Sequence, residues 1–252
     1  MRALIAAHVQ AHVPLKRLFS RRLRHTSRLS QSGFFAAACF ILLIFSFGAC
    51  GKGQQNTNQN ASPEEFITIV RRDENGGIIG EDSYSTALEV LILDERNLQN
   101  EDILPLTQMV NLKRLWLREN KISDLSPFAG LTSLTLLDFR GNKVSDLSPL
   151  ARLTNLDELY LQENEVSDIS VLVELTNLRR LWLRGNQVSD LSPLVVLMKL
   201  NEVYLRDNQI SDLLPLAELT NLSLIDLQEN RVSDLSPLAE LTNLVELRLY
   251  SN

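Results

Sequence analysis

Leucines recur through the second half of this chain in a fixed frame, with polar positions between them. Leu112, Leu115 and Leu117 precede Asn120, and Leu178, Leu181 and Leu183 precede Asn186. The asparagine itself returns at 120, 142, 164, 186, 208, 230 and 252, an unbroken period of 22 residues. Self-similarity at such a period is the signature of a stacked solenoid. In the frame Leu-x-x-Leu-x-Leu-x-x-Asn, the second and third leucines alternate as in a strand with one buried face. The asparagine then turns the chain out of the strand. Its amide carries donors and acceptors that can bond backbone groups left inside the stack by the turn. Copies placed one above another predict a ladder of buried amides, each costing roughly 1–3 kcal/mol to remove.

The other half of each unit has its own pattern. Ser126-Pro127, Ser148-Pro149, Ser192-Pro193 and Ser236-Pro237 read as a serine N-cap followed by proline at the first helical position. Apolar residues then fall at every third position, as in Leu125, Phe128 and Leu131, or Leu213, Leu216 and Leu219. A spacing of three predicts short 3-10 turns instead of full α-helices. Such thin turns escape the separation of about 8–10 Å that packed helices require. They come closer to the strand spacing of about 4.8 Å. The expected fold class is an α/β solenoid: a shallow arc with a parallel β-sheet on its concave face and 3-10 or irregular turns on its convex face. Each unit should touch mainly its neighbours.

The unit LTNLDELYLQENEVSDISVLVE, residues 153–174, resembles the 22-residue leucine-rich repeat of bacterial internalins. The resemblance holds in register over residues 111–252. It implies a leucine-rich repeat fold whose members usually bind other proteins through the concave sheet. It carries over no catalytic residue, because the repeat motif contains none. An earlier unit is altered: Leu88, Leu91 and Leu93 fit, but Arg96 stands at the asparagine position with Asn97 beside it. Gln99 and Asn100 are two extra residues ahead of Asp102–Leu106, Val171 replaces a proline, and Leu214 replaces a serine. These departures put the local capping in question. Residues 88–252 are thus expected to form eight strands, the last repeat incomplete. The strand ending near Asn252 has no following unit to cover it, which predicts either a longer parent protein or self-association through that edge.

Ahead of the repeats the pattern changes sharply. Residues 1–49 hold seven Lys/Arg, no acid and all three histidines, and an apolar run spans Phe34 to Phe47 before Gly48-Ala49-Cys50. A basic start, a short apolar core and small residues at its end describe a secretory signal peptide. The run is short for a bilayer span of about 20 residues. An uncleaved anchor is the other reading, and a start downstream of Met1 would shorten the long basic segment. The residues Phe-Gly-Ala-Cys are similar to a bacterial lipobox, with Phe47 where leucine is more usual. That likeness implies cleavage before Cys50, acylation of Cys50 and an exported, membrane-anchored protein. Residues 50–63 carry the lipidated cysteine and a polar tether spanning about 20 Å. Residues 64–87 suggest an N-terminal cap. Phe66, Ile67, Ile69 and Val70 read as a strand, Glu74–Gly77 as a turn and Ile78-Ile79 as a return, with a short helix as the alternative.

Charge and composition narrow the chemistry. Without residues 1–49, 18 Lys/Arg face 31 Asp/Glu, a net charge of −13. So acidic a body is a poor general ligand for nucleic acid. No histidine follows His25, and the two cysteines are Cys39 and Cys50. Histidine-dependent nucleophile pairs and histidine-bound zinc are therefore excluded from the mature chain, and no phosphate-binding glycine loop occurs. The chain is expected to be no enzyme and to need no cofactor or metal. The pairs Ser123-Asp124, Ser145-Asp146, Ser189-Asp190 and Ser211-Asp212 recur with the repeat and read as turn elements; a calcium ladder along them is the weaker reading.

The informative positions are those that vary. The residue between the second and third leucines should face outward on the concave sheet, as should those two places before and after. The middle row reads Ile92, Trp116, Asp138, Tyr160, Trp182, Tyr204, Asp226 and Arg248. Beside it run Arg114 and Arg180 on one flank and Arg118, Arg140, Arg184 and Arg206 on the other. Trp, Tyr and Arg are the types enriched at binding hot spots. Two functions follow. In the first, Trp116, Tyr160, Trp182 and Tyr204 anchor a protein partner while the arginines reach its acidic groups. In the second, the same aromatics stack on the sugar rings of a glycan or cell wall. Cross-strand stacking that merely stiffens the sheet is the bland reading. An enzyme would need a further domain beyond Asn252.

Overall fold

A computed structural model describes residues 64–252. Within it the leucine frame makes one three-residue strand per unit: β3 (Val90–Ile92), β4 (Arg114–Trp116), β5 (Leu136–Asp138), β6 (Glu158–Tyr160), β7 (Arg180–Trp182), β8 (Glu202–Tyr204), β9 (Leu224–Asp226) and β10 (Glu246–Arg248). They pair in sequence order as one parallel eight-stranded sheet. Each is short because the flanking leucines must bend inward to close the coil. Leu112, Leu115 and Leu117 are fully buried, as are Leu178, Leu181 and Leu183. The pairing is in exact repeat register, so Trp116, Asp138, Tyr160, Trp182, Tyr204, Asp226 and Arg248 form one row across the sheet. On the opposite side of each coil lies a 3-10 turn, from Ser126–Phe128 to Ser236–Leu238, as the three-residue apolar spacing predicts. The core runs between sheet and turns, its two largest side chains, Phe128 and Phe139, meeting edge to face at 5.1 Å.

The asparagines tie successive coils together. Asn164 Nδ2 donates to Phe139 O at 2.9 Å in the preceding coil and to Leu161 O at 3.0 Å in its own. Its Oδ1 accepts the Val144 N–H at 2.9 Å. The same set recurs at the neighbouring asparagines, so each amide pairs backbone groups of two coils that water cannot reach. The residue just before each asparagine is left-handed, with φ of 51° at Glu119, 65° at Gly141, 57° at Glu163, 66° at Gly185 and 57° at Asp207. Glycine adopts that geometry freely, whereas the carboxylate residues carry backbone strain there.

The turns are capped differently from the serine reading. The serines are the first residues of the turns and make no side-chain cap. The cap is the aspartate two residues earlier: Asp146 Oδ1 accepts the Ser148 N–H and Asp190 Oδ1 the Ser192 N–H, both at 2.8 Å. The serine hydroxyl instead donates to the other carboxylate oxygen, 2.8 Å from Ser192 Oγ to Asp190 Oδ2. Because the capped group is a backbone N–H, the irregular units keep their caps. Asp212 accepts from Leu214, and Asp168 from Ser170 ahead of Val171.

In the first unit, a side-chain amide at position 96 would have no earlier coil to bond. Asn120 Oδ1 instead accepts both the Arg96 and Leu98 N–H groups. The Arg96 guanidinium is thereby free to pair with Asp82 at 2.6 Å. The inserted Asn100 accepts the N–H groups of Ser123 and Asp124. Residues 66–85 form an antiparallel hairpin, β1 (Phe66–Arg72) and β2 (Ile78–Ser85), and not a short helix. Its Ile67 and Ile69 are buried in the same core as the repeats. Arg72 clamps Asp102, in the 3-10 turn Asn100–Gln108 of the first coil, through two hydrogen bonds of 2.6 and 2.8 Å. The segments read as signal peptide (1–49) and tether (50–63), with Cys50, lie outside the described residues.

Candidate functional site

Parallel register at a spacing of one strand brings side chains of the middle row into direct contact. Tyr160 and Trp182 stack with ring centroids 4.0 Å apart and planes inclined by 12°. Trp182 and Tyr204 stack at 5.1 Å and 6°. From the neighbouring strand on the other side, the Arg140 guanidinium lies 5.1 Å from the Tyr160 ring centroid. Both faces of Tyr160 and of Trp182 are thus covered, and the rings present their edges to solvent. Trp116 is set apart, because Asp138 occupies the place between it and Tyr160; its ring has Arg114 at 5.9 Å.

Asp138 and Asp226 belong to this row, yet neither is an exposed group. Asp138 is fully buried, because Arg140 folds over it with hydrogen bonds of 2.9 and 2.6 Å. Asp226 is also buried, with Arg248 at 3.3 Å. The outward direction of the row holds, and the short aspartates are simply covered by longer neighbours.

Most of the arginines singled out in the sequence have carboxylate partners inside the molecule. Arg118 pairs with Asp94 at 2.8 Å, Arg140 with Asp138 at 2.6 Å and Arg206 with Glu229 at 2.6 Å. Arg180 lies between Glu158 at 3.1 Å and Glu202 at 3.5 Å. These same two glutamates accept the hydroxyls of Tyr160 and Tyr204, at 2.6 and 3.1 Å. Burial, followed by the bond to Glu158, pushes the Tyr160 hydroxyl well above the usual tyrosine range; burial and the charge of Glu202 raise Tyr204 similarly. Two are exceptions: Arg184 is half exposed and 4.0 Å from Glu163, beyond hydrogen-bonding distance, and the exposed Arg114 has the Trp116 ring and no carboxylate partner among the described residues.

A groove of about 420 Å³ opens along the strand-end side of the stack. Trp182, Tyr204, Arg140, Arg184 and Arg206 line it, together with Gln162 and Gln228; Trp116, Tyr160, Arg114, Arg118 and Arg180 do not. The two glutamines are residues that hot-spot composition passes over. Two of the lining residues each carry a buried polar atom, Gln162 Oε1 and Arg206 Nε, with no hydrogen-bond partner among the described residues. The three outward rows carry seven arginines and six carboxylates, whereas residues 64–252 as a whole carry 17 Lys/Arg and 31 Asp/Glu. The concave wall is therefore close to neutral on a strongly acidic body.

Residues 110–152, 132–174, 154–197 and 176–218 each match the family described as Leucine Rich repeats (2 copies). Among solved structures the chain is 37% identical to internalin C2 of Listeria monocytogenes, with a TM-score of 0.57. That match covers 67% of this chain and 85% of the internalin. A second Listeria internalin is 33% identical with a TM-score of 0.55, over 59% of this chain and 50% of its own. A leucine-rich repeat protein of Leptospira interrogans is 28% identical with a TM-score of 0.55, over 58% of this chain and 39% of its own. No curated protein matches the sequence. A parallel sheet of 22-residue coils with 3-10 turns defines a leucine-rich repeat solenoid. The chain belongs to the internalin-like leucine-rich repeat family of bacteria. The fold is that of a protein-interaction module.

Proposed function

We propose that this protein recognises another protein through its concave wall, with the Tyr160–Trp182–Tyr204 stack and the adjoining groove as the centre of contact. One observation carries the reading: a groove of about 420 Å³ on the concave wall is lined by Trp182, Tyr204 and the half-exposed Arg184, whose guanidinium has no carboxylate within hydrogen-bonding distance. Aromatic and arginine side chains gathered in this way have the composition of a binding hot spot. Sugar stacking needs an open ring face, and both faces of Tyr160 and Trp182 are taken, which leaves that reading Trp116 and one face of Tyr204. The stack stiffens the sheet as well, but stiffening does not explain the groove.

The test is capture of extracellular proteins by the full chain and by a Trp116→Ala, Trp182→Ala variant. Truncation of a hot-spot aromatic costs about 2 kcal/mol or more. The variant should therefore recover at least tenfold less of any specific partner. Equal recovery by both proteins overturns the reading. Charge reversal at Arg184 should weaken binding further, whereas a neutral glycan would respond mainly to loss of the tryptophans.

The same reading places the module outside the cell. Residues 1–49 act as the export signal, Cys50 carries the lipid, and residues 51–63 hold the repeats away from the membrane. Mass spectrometry of the membrane fraction should find an acylated N-terminal Cys50; an unmodified Cys50 inside a longer chain rejects the anchor.

A further inference from the structure

The 22-residue period makes each coil a reference for the others, and on the convex side one region departs from that reference in a consistent direction. Val173 and Val195 stand where other units have alanine, as at Ala151 and Ala217. Val196 replaces a glutamate found at 174, 218 and 240, Met198 a threonine, and Leu214 a serine. All five substitutions exchange a small or polar residue for a larger apolar one. They sit on or beside three consecutive turns, Ser170–Glu174, Ser192–Val196 and Leu214–Leu216, which pack side by side. None is buried: exposure runs from 40% at Val173 to 52% at Met198 and 67% at Leu214. Leu104 and Val110 of the first coil are exposed too, but they lie apart, beyond the turns Ser126–Phe128 and Ser148–Arg152.

The fold does not need these side chains. The other coils build the same 3-10 turn with alanine, glutamate, threonine and serine. A contiguous apolar patch rimmed by polar residues marks an interaction surface. The rim indicates what fits. On these three units the flanking exposed charges are Asp168, Glu174, Asp190, Asp212 and Glu218. Against them stand two cations on one flank, Lys199, whose Nζ donates to Asn177 Oδ1 at 2.6 Å, and Arg179 beside it, 3.5 Å from Asp157.

We infer that the convex face carries a second docking surface, for a cationic amphipathic segment of a protein partner. Its apolar side covers Val173, Val195, Val196, Met198 and Leu214, and its Lys/Arg flanks meet the carboxylates around them. Complementary charge of this kind speeds encounter and fixes orientation more than it adds affinity. The apolar contact supplies the affinity.

The repeat itself supplies the test variant. Val196→Glu, Met198→Thr and Leu214→Ser restore residues that other coils carry, so folding is preserved and Tm should hold or rise. Binding is read by fluorescence anisotropy at physiological salt, using the full chain and a synthetic Leu/Lys amphipathic peptide with its Leu/Glu counterpart. The wild type should bind the Leu/Lys peptide and not the Leu/Glu one. The triple variant should bind at least tenfold more weakly, although Val196→Glu adds attraction for a cation. Trp182→Ala should leave this binding unchanged, which separates it from recognition on the concave wall. Equal binding by the triple variant, or equal loss in Trp182→Ala, overturns the inference. So does sedimentation showing a wild-type dimer that the triple variant makes monomeric, which would assign the patch to a second copy of the chain.

Discussion

At the residue scale, the fold rests on side chains that complete the backbone. Asn164 bonds backbone groups of two coils from a buried position, so Asn164→Ala leaves several of them unpaired. The expected cost is roughly 3 kcal/mol, read as a shift in the urea midpoint. Asn252 makes the same bonds in the last unit but is exposed to water, so Asn252→Ala should cost distinctly less. The turn caps allow a sharper comparison. Asp190→Ala removes the acceptor for the Ser192 N–H and should cost about 1 kcal/mol, while Ser192→Ala should cost a few tenths. The reverse order would restore serine as the cap. Hydrogen bonds from the Ser170 and Ser236 backbones hold Asp168 and Asp234 below the ordinary aspartate value of 3.8. A depressed carboxylate stabilises the fold above its unfolded value and loses that contribution as pH falls through the folded one. The Tm difference between wild type and Asp168→Ala should therefore narrow as pH drops below 3.8. The asparagine ladder was legible from its spacing. The cap was less so, because Asp-x-Ser and Ser-Pro overlap in every regular unit; Leu214, which lacks the serine, was the available signal. The left-handed position was visible in Gly141 and Gly185, which fall in register with Glu119, Glu163 and Asp207.

At the scale of elements, strand register decides which side chains meet. The row Trp116 to Arg248 follows directly from the period, and so does the parallel sheet. What the period does not encode is how each long side chain turns once it leaves the sheet. Arg140 covers Asp138 on its own strand, whereas Arg206 reaches Glu229 in the next coil. Both are rotamer choices made among neighbours in three dimensions. The stack itself has a measurable consequence. Tyr160 and Tyr204 are raised above the ordinary tyrosine value of 10, mainly by burial. For a raised tyrosine, the stabilisation is complete below the unfolded value and declines as pH climbs toward the folded one. An absorbance titration should show tyrosines that ionise late, with stability falling above pH 10. In Trp182→Ala, which opens the stack to water, that late ionisation should move earlier. An unchanged curve would mean that Trp182 does not cover the tyrosines.

At the scale of the molecule, identical coils convert a linear list of variable residues into surfaces. A solenoid of this kind is stabilised mainly by contacts between neighbouring units, so changes on distant coils should add independently. Two surfaces stand out because they depart from the repeat: a nearly neutral concave wall and an apolar convex patch on an acidic body. The direct test of the concave wall is photo-cross-linking with a benzophenone amino acid placed at one position at a time, in the presence of extracellular proteins. Gln228 lines the groove, and Glu240 is exposed on the convex side of the same coil. A probe at 228 should yield a discrete adduct that disappears when Trp182 is also changed to alanine, while a probe at 240 yields none. An adduct from 240 alone, or one from 228 that persists without Trp182, would contradict recognition by the aromatic stack.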